Sequence, residues 1–336
     1  IPKIIYRRKM MEVNEQIKNF KDLANSYKIT SIIISAKELG VFKVLTNEKI
    51  SLEGISKELN IKVERLEPIL NMLAFYNLIQ KEDDKYFLST YNDVLNSNSE
   101  YNQIGYIDFA ETIMKRYQDL DKAVKNENIA KSNFNNLTAE EAKSFANGME
   151  ANAIPQAKFL MKNYNFTNHK ILDIGAGAGT YLINVAKNDN TVTGKMLDLP
   201  AMSKLQNDRI KENNLQNRLV SEECDYNSNF PIEKYDDVFL FAVVHQEHEE
   251  NLKKLINNIY EILNPKGRLF LTSFFLNEDK ISPKFAVQFA VEMIASSNDG
   301  KVYTFNEIEK ILKTRFDNLQ KIEDIPGPAT LYIATK

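Results

Sequence analysis

Ile171-Leu-Asp-Ile-Gly-Ala-Gly-Ala-Gly179 decides how this chain is read. An apolar run carrying one acid breaks abruptly into three glycines spaced two apart. Lacking a Cβ, Gly175, Gly177 and Gly179 let the backbone turn sharply and let a ligand lie against it. A helical pattern follows at once, from Thr180 to Lys187. Strand, glycine turn, helix is how an open parallel sheet builds a nucleotide-type site at its strand ends. The dinucleotide fingerprint Gly-x-Gly-x-x-Gly requires glycine at 180, where this chain has Thr180, which disfavours an oxidoreductase. Asp173 stands two residues before the first glycine. A pyrophosphate prefers a helix N-terminus free of carboxylates, whereas a carboxylate here suits a ligand bearing positive charge. Asp173 also reads as a buried carboxylate satisfied by turn amides, and the two roles are compatible.

Around this motif, residues 168–336 alternate strand and helix. Apolar strand candidates are 170–174, 191–197, 218–223, 237–244, 268–276, 319–324 and 330–335, with helices at 180–188, 200–213, 249–263, 283–296 and 305–315. Pro326-Gly-Pro328 marks a short reversal between the last two strands. In Lys195-Met-Leu-Asp-Leu-Pro200, Asp198 and Leu199 close the second strand. A carboxylate there can hold both hydroxyls of a ribose. Alternatively, Asp198 caps the following helix.

The N-terminal third is helical. Residues 14–46 carry a helical apolar pattern, with Ile32, Ile33, Ile34, Ala36, Leu39, Phe42, Val44 and Leu45 giving more apolar surface than one small domain hides, so a second subunit is expected to cover it. Residues 51–60 open on a serine cap and predict a short helix. A second helix is predicted over 64–78, with Leu66, Ile69, Leu70, Met72, Leu73 and Tyr76 inward, then two short strands about the acidic turn in 79–89. Helix, turn, helix, hairpin is a winged-helix pattern. Its reader helix would expose Glu64, Glu67 and Asn71, and its wing tip is Lys81-Glu-Asp-Asp-Lys85. Acids facing phosphate oppose DNA binding, so a dimerisation role is the better reading. Helices are expected over 104–124 and 138–164, with a loop at 126–137.

Composition sets bounds. The 336 residues suffice for two domains, and a net charge of −3 gives no electrostatic reason to expect nucleic acid or an anionic membrane as partner. The single cysteine, Cys224, excludes an internal disulfide and fits a reducing compartment, so a cytoplasmic location is expected. No apolar run reaches the length of a membrane span. Residues 1–10 read as a frayed extension. His245, His248 and the acids around them are too few for a metal site, and none is expected.

The glycine motif with its acid resembles motif I of S-adenosylmethionine-dependent methyltransferases, and the whole layout resembles the plant and bacterial small-molecule O-methyltransferases. That resemblance implies an α/β fold: a Rossmann-like class I methyltransferase sheet with helices on both faces over 166–336, a winged-helix dimerisation domain over 11–100, and a helical linker over 101–165 contributing to the acceptor pocket. It implies S-adenosylmethionine as cofactor, a small-molecule acceptor, a homodimer, and no nucleic acid or membrane. Phe145-Ala-Asn-Gly-Met149 resembles a family segment whose methionine lies near donor and acceptor, although Met149 also reads as core. Asp225-Tyr226 resembles the segment whose acid side meets the adenine, with Cys224 in place of a glycine, and Pro265-Lys-Gly-Arg268 resembles the turn before the fifth strand. Cofactor candidates are therefore Asp173, Gly175, Gly177, Gly179, Asp198, Leu199, Asp225, Tyr226 and Met149.

After Asp236-Asp-Val-Phe-Leu-Phe-Ala-Val-Val244 comes His245-Gln-Glu-His248, where the family has its general base. His245 is the candidate base, or else a hydrogen-bonded structural histidine. Ser273 and Val302 stand where plant members flank the base with glutamates, and Glu247 is the candidate substitute. Tyr106, Phe109, Met114, Met149, Phe289 and Met293 are candidates to line the acceptor pocket. Methylation at nitrogen or carbon without an essential base, or cofactor binding without transfer, are the alternatives on the same scaffold.

Overall fold

The computed structural model describes residues 2–125, 139–296 and 300–336, with side chains from 12–125, 145–296 and 300–336. The predicted loop 126–137 lies outside the described residues. Two compact units emerge, Ile1–Ile107 and Asp108–Lys336. Among the described residues no helix is long and apolar enough to cross a membrane.

In the first unit, α1 (Pro2–Ala24), α2 (Tyr27–Glu38) and α3 (Val41–Val44) precede a two-residue strand β1 (Ile50–Ser51). Helix α4 (Leu52–Leu59) is capped by Ser51, whose Oγ accepts from the Gly54 N–H at 3.1 Å, and it ends at Asn60 in the left-handed region. Helix α5 (Val63–Phe75) turns Leu66, Leu70 and Leu73 inward, at the four- and three-residue spacing of one helix face. Tyr76 departs from expectation. It sits past the last helical turn, 45% exposed, edge-on to Phe75. The hairpin β2 (Gln80–Glu82) and β3 (Lys85–Phe87) follows, and β1 pairs antiparallel with β3 to complete a three-stranded wing. Helix α6 (Asn92–Leu95) leads to α7 (Ile104–Tyr117), within which the division between units falls. The apolar 32–45 segment is mostly absorbed by this unit's own core. Ala36, Val41, Phe42 and Leu45 are fully buried, with Ile32, Ile33 and Ile34 half-buried against them. Much of the exposed apolar surface lies instead on α1, at Val13, Ile17, Phe20 and Leu23, with Tyr27, Leu39 and Phe75 also exposed.

The second unit adds α8 (Leu120–Val124) and α9 (Ala139–Asn163), so the helix expected over 104–124 breaks at Gln118-Asp119. Then come β4 (Lys170–Ile174), α10 (Thr180–Asn188), β5 (Thr193–Asp198), α11 (Pro200–Glu212), β6 (Leu219–Glu223), β7 (Tyr235–Phe241), α12 (Glu249–Ile262), β8 (Leu263–Ser273), α13 (Lys284–Ser296), α14 (Phe305–Leu312), β9 (Asn318–Ile322) and β10 (Thr330–Thr335). The seven-stranded sheet runs β6-β5-β4-β7-β8-β10-β9, parallel except for β10, which is antiparallel to both neighbours. From β4 the chain winds outward through β5 and β6, then returns to β7 on the other side. The strand order therefore reverses between β4 and β7, and a crevice opens at their carboxyl ends.

Both faces of the sheet are covered, which explains the unbroken apolar run of β7. Val238 and Leu240 face one core with Leu252, Leu255, Ile256 and Ile259 of α12. Phe239 and Phe241, one residue out of phase, face the other with Leu182 and Val185 of α10. The predicted turn Pro265–Arg268 is instead a bulge inside β8. Tyr235 pairs with Leu263 but Asp237 with Arg268, and the extra residues loop out at Lys266, φ 67°. At this amino end of the sheet, fully buried Asp237 accepts two hydrogen bonds from Arg268, 2.7 and 2.9 Å, and approaches His169 Nδ1 at 2.6 Å.

Candidate active site

The glycine turn is built by close packing. Gly175, Gly177 and Gly179 all have positive φ, at 64°, 56° and 73°. A Cβ on Gly175 would lie 2.7 Å from Val243 Cγ2, and one on Gly179 would lie 2.7 Å from Met196 Sδ. A Cβ on Gly177 meets nothing within 4 Å, so this residue alone faces open space. The Gly175 and Ala176 N–H groups donate to the Leu197 carbonyl of β5, at 2.9 and 3.3 Å.

Asp198, at the end of β5, clasps the turn. Its Oδ2 accepts from the Gly177 N–H at 2.6 Å and its Oδ1 from the Leu199 N–H at 2.8 Å. It does not cap α11: Leu199 holds the N-cap position, with Pro200 opening the helix. Gln206, fully buried on α11, donates to the Gly177 carbonyl (2.8 Å) and to Asp198 Oδ2 (3.3 Å), while its own Oε1 accepts from Ser221. Desolvation pushes the Asp198 carboxyl up to about 6 despite these donors. Asp173 lies deeper, 1% exposed, with Oδ2 sealed from solvent and without a partner. Burial, and then the Asp198 charge, lift its pKa well above the usual range, partly offset by the Leu182 N–H. A cation beside it would favour the ionised form.

The loop after β6 joins this clasp, for the Cys224 N–H donates to the Asp198 carbonyl at 2.9 Å. Asp225 is exposed and accepts from the Asn227 N–H. Tyr226 is half-buried, and its hydroxyl donates to Glu247 Oε1 at 2.7 Å.

Past β7 the chain turns through Ala242 (φ 55°) into a 3-10 turn, Val244–Gln246, that carries His245. The ring is 8% exposed and lies edge-on to Phe289, centroids 4.8 Å apart. Burial alone pulls its pKa down to about 4, so it is neutral at ordinary pH. Nδ1 is sealed and has no hydrogen-bond partner. Beside the imidazole Phe285 and Phe289 are stacked, and Phe274 packs edge-on to Phe289 and tilted to Phe285, with Met293 and Val302 buried in the same cluster. Helix α13, which carries Phe289, is held to α7 by Tyr117 Oη donating to the Gln288 carbonyl and Arg116 Nη1 to Ser296 Oγ.

Comparison with known proteins matches residues 117–315 to the O-methyltransferase domain family and 21–95 to the O-methyltransferase dimerisation domain. The chain belongs to the O-methyltransferase family. Curated relatives include the S-adenosyl-L-methionine-dependent methyl transferase PigF of a Serratia species, 25% identical and spanning 90% of this chain and 91% of that one. Another is the 3-hydroxy-5-methyl-1-naphthoate 3-O-methyltransferase of Streptomyces sahachiroi, 20% identical over 84% of each. Among solved structures, a putative O-methyltransferase of Nostoc punctiforme superposes with a TM-score of 0.82 at 22% identity, over 95% of this chain and 98% of that one.

In this O-methyltransferase the hydrogen bonds above gather Gly175, Gly177, Asp198 and Leu199 about the β4 and β5 ends, with Asp173 and Gly179 flanking and Asp225 and Tyr226 adjoining through Cys224. His245, Phe289 and Met293 form a second group. Met149 is half-buried on α9, one residue past Gly148, where a Cβ would strike Phe109 of α7 at 2.7 Å. Met114 is half-buried on α7, and Tyr106 falls in the first unit. Glu247, the candidate substitute carboxylate, is 5% exposed and engaged by Tyr226 and by Asn227 Nδ2 (2.9 Å) rather than by His245. Ser273 Oγ is sealed without a partner, as His245 Nδ1 is. Sequence reasoning missed Gln206 and the Phe274–Phe285 pair. Gln206 carries a weak signal, a polar residue on the inward face of an amphipathic helix eight residues after Asp198.

Proposed function

We propose that this protein transfers a methyl group from S-adenosylmethionine to a hydroxyl of a small, largely apolar molecule, with His245 as the base. The observation that carries the reading is a neutral, buried imidazole at the β7 end, edge-on to Phe289, beside a glycine turn clasped by Asp198. The residues fit that cofactor. Asp173 is a buried carboxyl beside the glycine turn with one oxygen unpartnered, so a cation bound nearby would favour its ionised form, and Gly177 leaves open space. Asp198 Oδ1, which accepts one bond, keeps a lone pair for a ribose hydroxyl, while Oδ2 is taken by Gly177 and Gln206. When bound, the cofactor supplies an electrophilic methyl on a positively charged sulfur. The aromatic cluster of Phe274, Phe285 and Phe289 holds the acceptor and excludes water, bringing its oxygen into line with the methyl. As the new carbon–oxygen bond forms, the hydroxyl proton passes to His245, neutral and therefore in accepting form. The sealed Nδ1 leaves Nε2 for that role. The activity of the Streptomyces sahachiroi relative, methylation at a ring hydroxyl, supports oxygen as the acceptor atom.

One observation favours a second reading. Nε2 can accept a proton only in the tautomer with an N–H at Nδ1, which finds nothing to receive it before or after transfer, and this suits an amine or carbon acceptor that needs no base at 245. The test uses cofactor with a deuterated methyl, a small-molecule extract and mass spectrometry, on wild type and His245→Ala. Labelled ether or ester products that vanish in the variant support the first reading; products undiminished in the variant sink it.

We further propose a homodimer through the first unit. The match to the dimerisation domain and the exposed residues Val13, Ile17, Phe20 and Leu23 support it. Sedimentation of Phe20→Glu/Leu23→Glu should read as monomer where wild type reads as dimer; an unchanged sedimentation coefficient would count against this surface.

A further inference from the structure

Glu247 has no part in the chemistry proposed above, yet it is a buried carboxylate two residues from His245. One of its oxygens receives both the Tyr226 hydroxyl, at 2.7 Å, and Asn227 Nδ2, at 2.9 Å. Its backbone carbonyl receives the Tyr303 hydroxyl at 2.6 Å. Two residues earlier, the His245 carbonyl receives the Lys301 N–H at 2.8 Å. On the far side, the Cys224 N–H holds the Asp198 carbonyl, and Asp198 holds Gly177. A continuous series of bonds and short backbone steps thus runs from the glycine turn through β5 and the β6 loop to the base.

We infer that Glu247 is a positioning residue, latching loop 225–227 to the His245 turn so that cofactor site and base are set by one contact. The inference rests on the methyltransferase reading above. Loop 225–229 is mostly exposed and polar, and its internal bonds, all to Asp225, shape the turn without tying it to the His245 turn. A carboxylate accepting two donors makes the strong class of hydrogen bond and can fix it. The Tyr226 hydroxyl agrees with this: burial, then Glu247, raise its pKa, keeping it a donor. Without the carboxylate, the Tyr226 hydroxyl and the Asn227 amide both lose their acceptor, and residues 225–227 lose these ties to the His245 turn, while the Cys224 bond to Asp198 stays.

The test is calorimetry of S-adenosylhomocysteine binding beside thermal unfolding of each variant. Glu247→Ala is expected to weaken binding about tenfold, about 1.4 kcal/mol. Glu247→Gln keeps an oxygen that can accept both donors and is expected to bind within about twofold of wild type. Tyr226→Phe with Asn227→Ala should weaken binding, and adding Glu247→Ala to that pair should cost nothing more. A lowered Tm with unaltered affinity in Glu247→Ala would make the contact merely structural and overturn the inference, as would fully additive losses. Failure of the wild type to bind S-adenosylhomocysteine would instead sink the cofactor reading itself.

Discussion

Lowering the pH should destabilise this protein through His245 in a way that a single substitution abolishes. In the unfolded chain the imidazole titrates near its ordinary value of about 6.5; folded, burial holds it at about 4. Between those values the unfolded chain binds the proton and the folded chain does not, so protonation favours unfolding. The stability linked to His245 is fully present above about 6.5 and is lost progressively as pH falls toward about 4. A difference of about 2.5 units corresponds to roughly 3 kcal/mol across the whole range, and about 2 kcal/mol of it is lost by pH 5. Urea unfolding at pH 7.5 and pH 5.0 reads this directly. His245→Gln keeps a polar side chain but does not titrate, and all other groups are shared, so their contributions cancel. Wild type should lose about 2 kcal/mol more than the variant between the two pH values. Equal losses would refute the argument, as would an imidazole NMR signal titrating near 6.5.

Asp173→Asn removes a carboxylate that burial and Asp198 disfavour; the ligand-free protein should melt higher, by about 2–4 °C per kcal/mol gained, while S-adenosylmethionine affinity by calorimetry drops about tenfold or more. Gly175→Ala meets both a positive φ and Val243 and should cost more than Gly177→Ala, which meets only the left-handed penalty of about 1–2 kcal/mol; equal losses in denaturant unfolding would deny the Val243 contact its role. Asp237→Ala strands Arg268 at the amino end of the sheet and should cost about 3–5 kcal/mol, with S-adenosylhomocysteine affinity unchanged, because the cluster lies opposite the site.

The glycine motif made β4, its turn and α10 legible because three constraints coincide there: a doubly buried strand, left-handed backbone, and a helix opening. The alternation of apolar runs and amphipathic helices likewise located all seven strands of the sheet. Where sequence failed, a tertiary contact decided. Leu263 reads as the end of a helix and Pro265-Lys-Gly as a turn, yet pairing with Tyr235 draws Leu263 into β8 and makes the turn a bulge. Strand β1, two residues long, carries no periodicity and exists only because β3 offers it an edge. Tyr76 fits the inward face of α5 by spacing, but the helix stops one residue before it. The site shows the same division. Asp173 and Asp198 were visible from their place beside glycines and at a strand end. The direction in which Glu247 points was not, since only the folded chain brings the β6 loop against it.

The order of strands also bears on how the chain is made. β9 touches the sheet only through β10, which separates it from β8. As the chain leaves the ribosome, β9 emerges first and finds no strand to join. The outer edge of β8 stays bare until residues 330–335 arrive to fill it. That interval is short, on the order of seconds at typical translation rates, yet it leaves Phe270 and Leu271 on a strand whose hydrogen-bonding edge is unsatisfied. A stall after β8 has emerged from the ribosome and before residues 330–335 have done so would prolong that exposure and leave the nascent chain open to edge-to-edge aggregation.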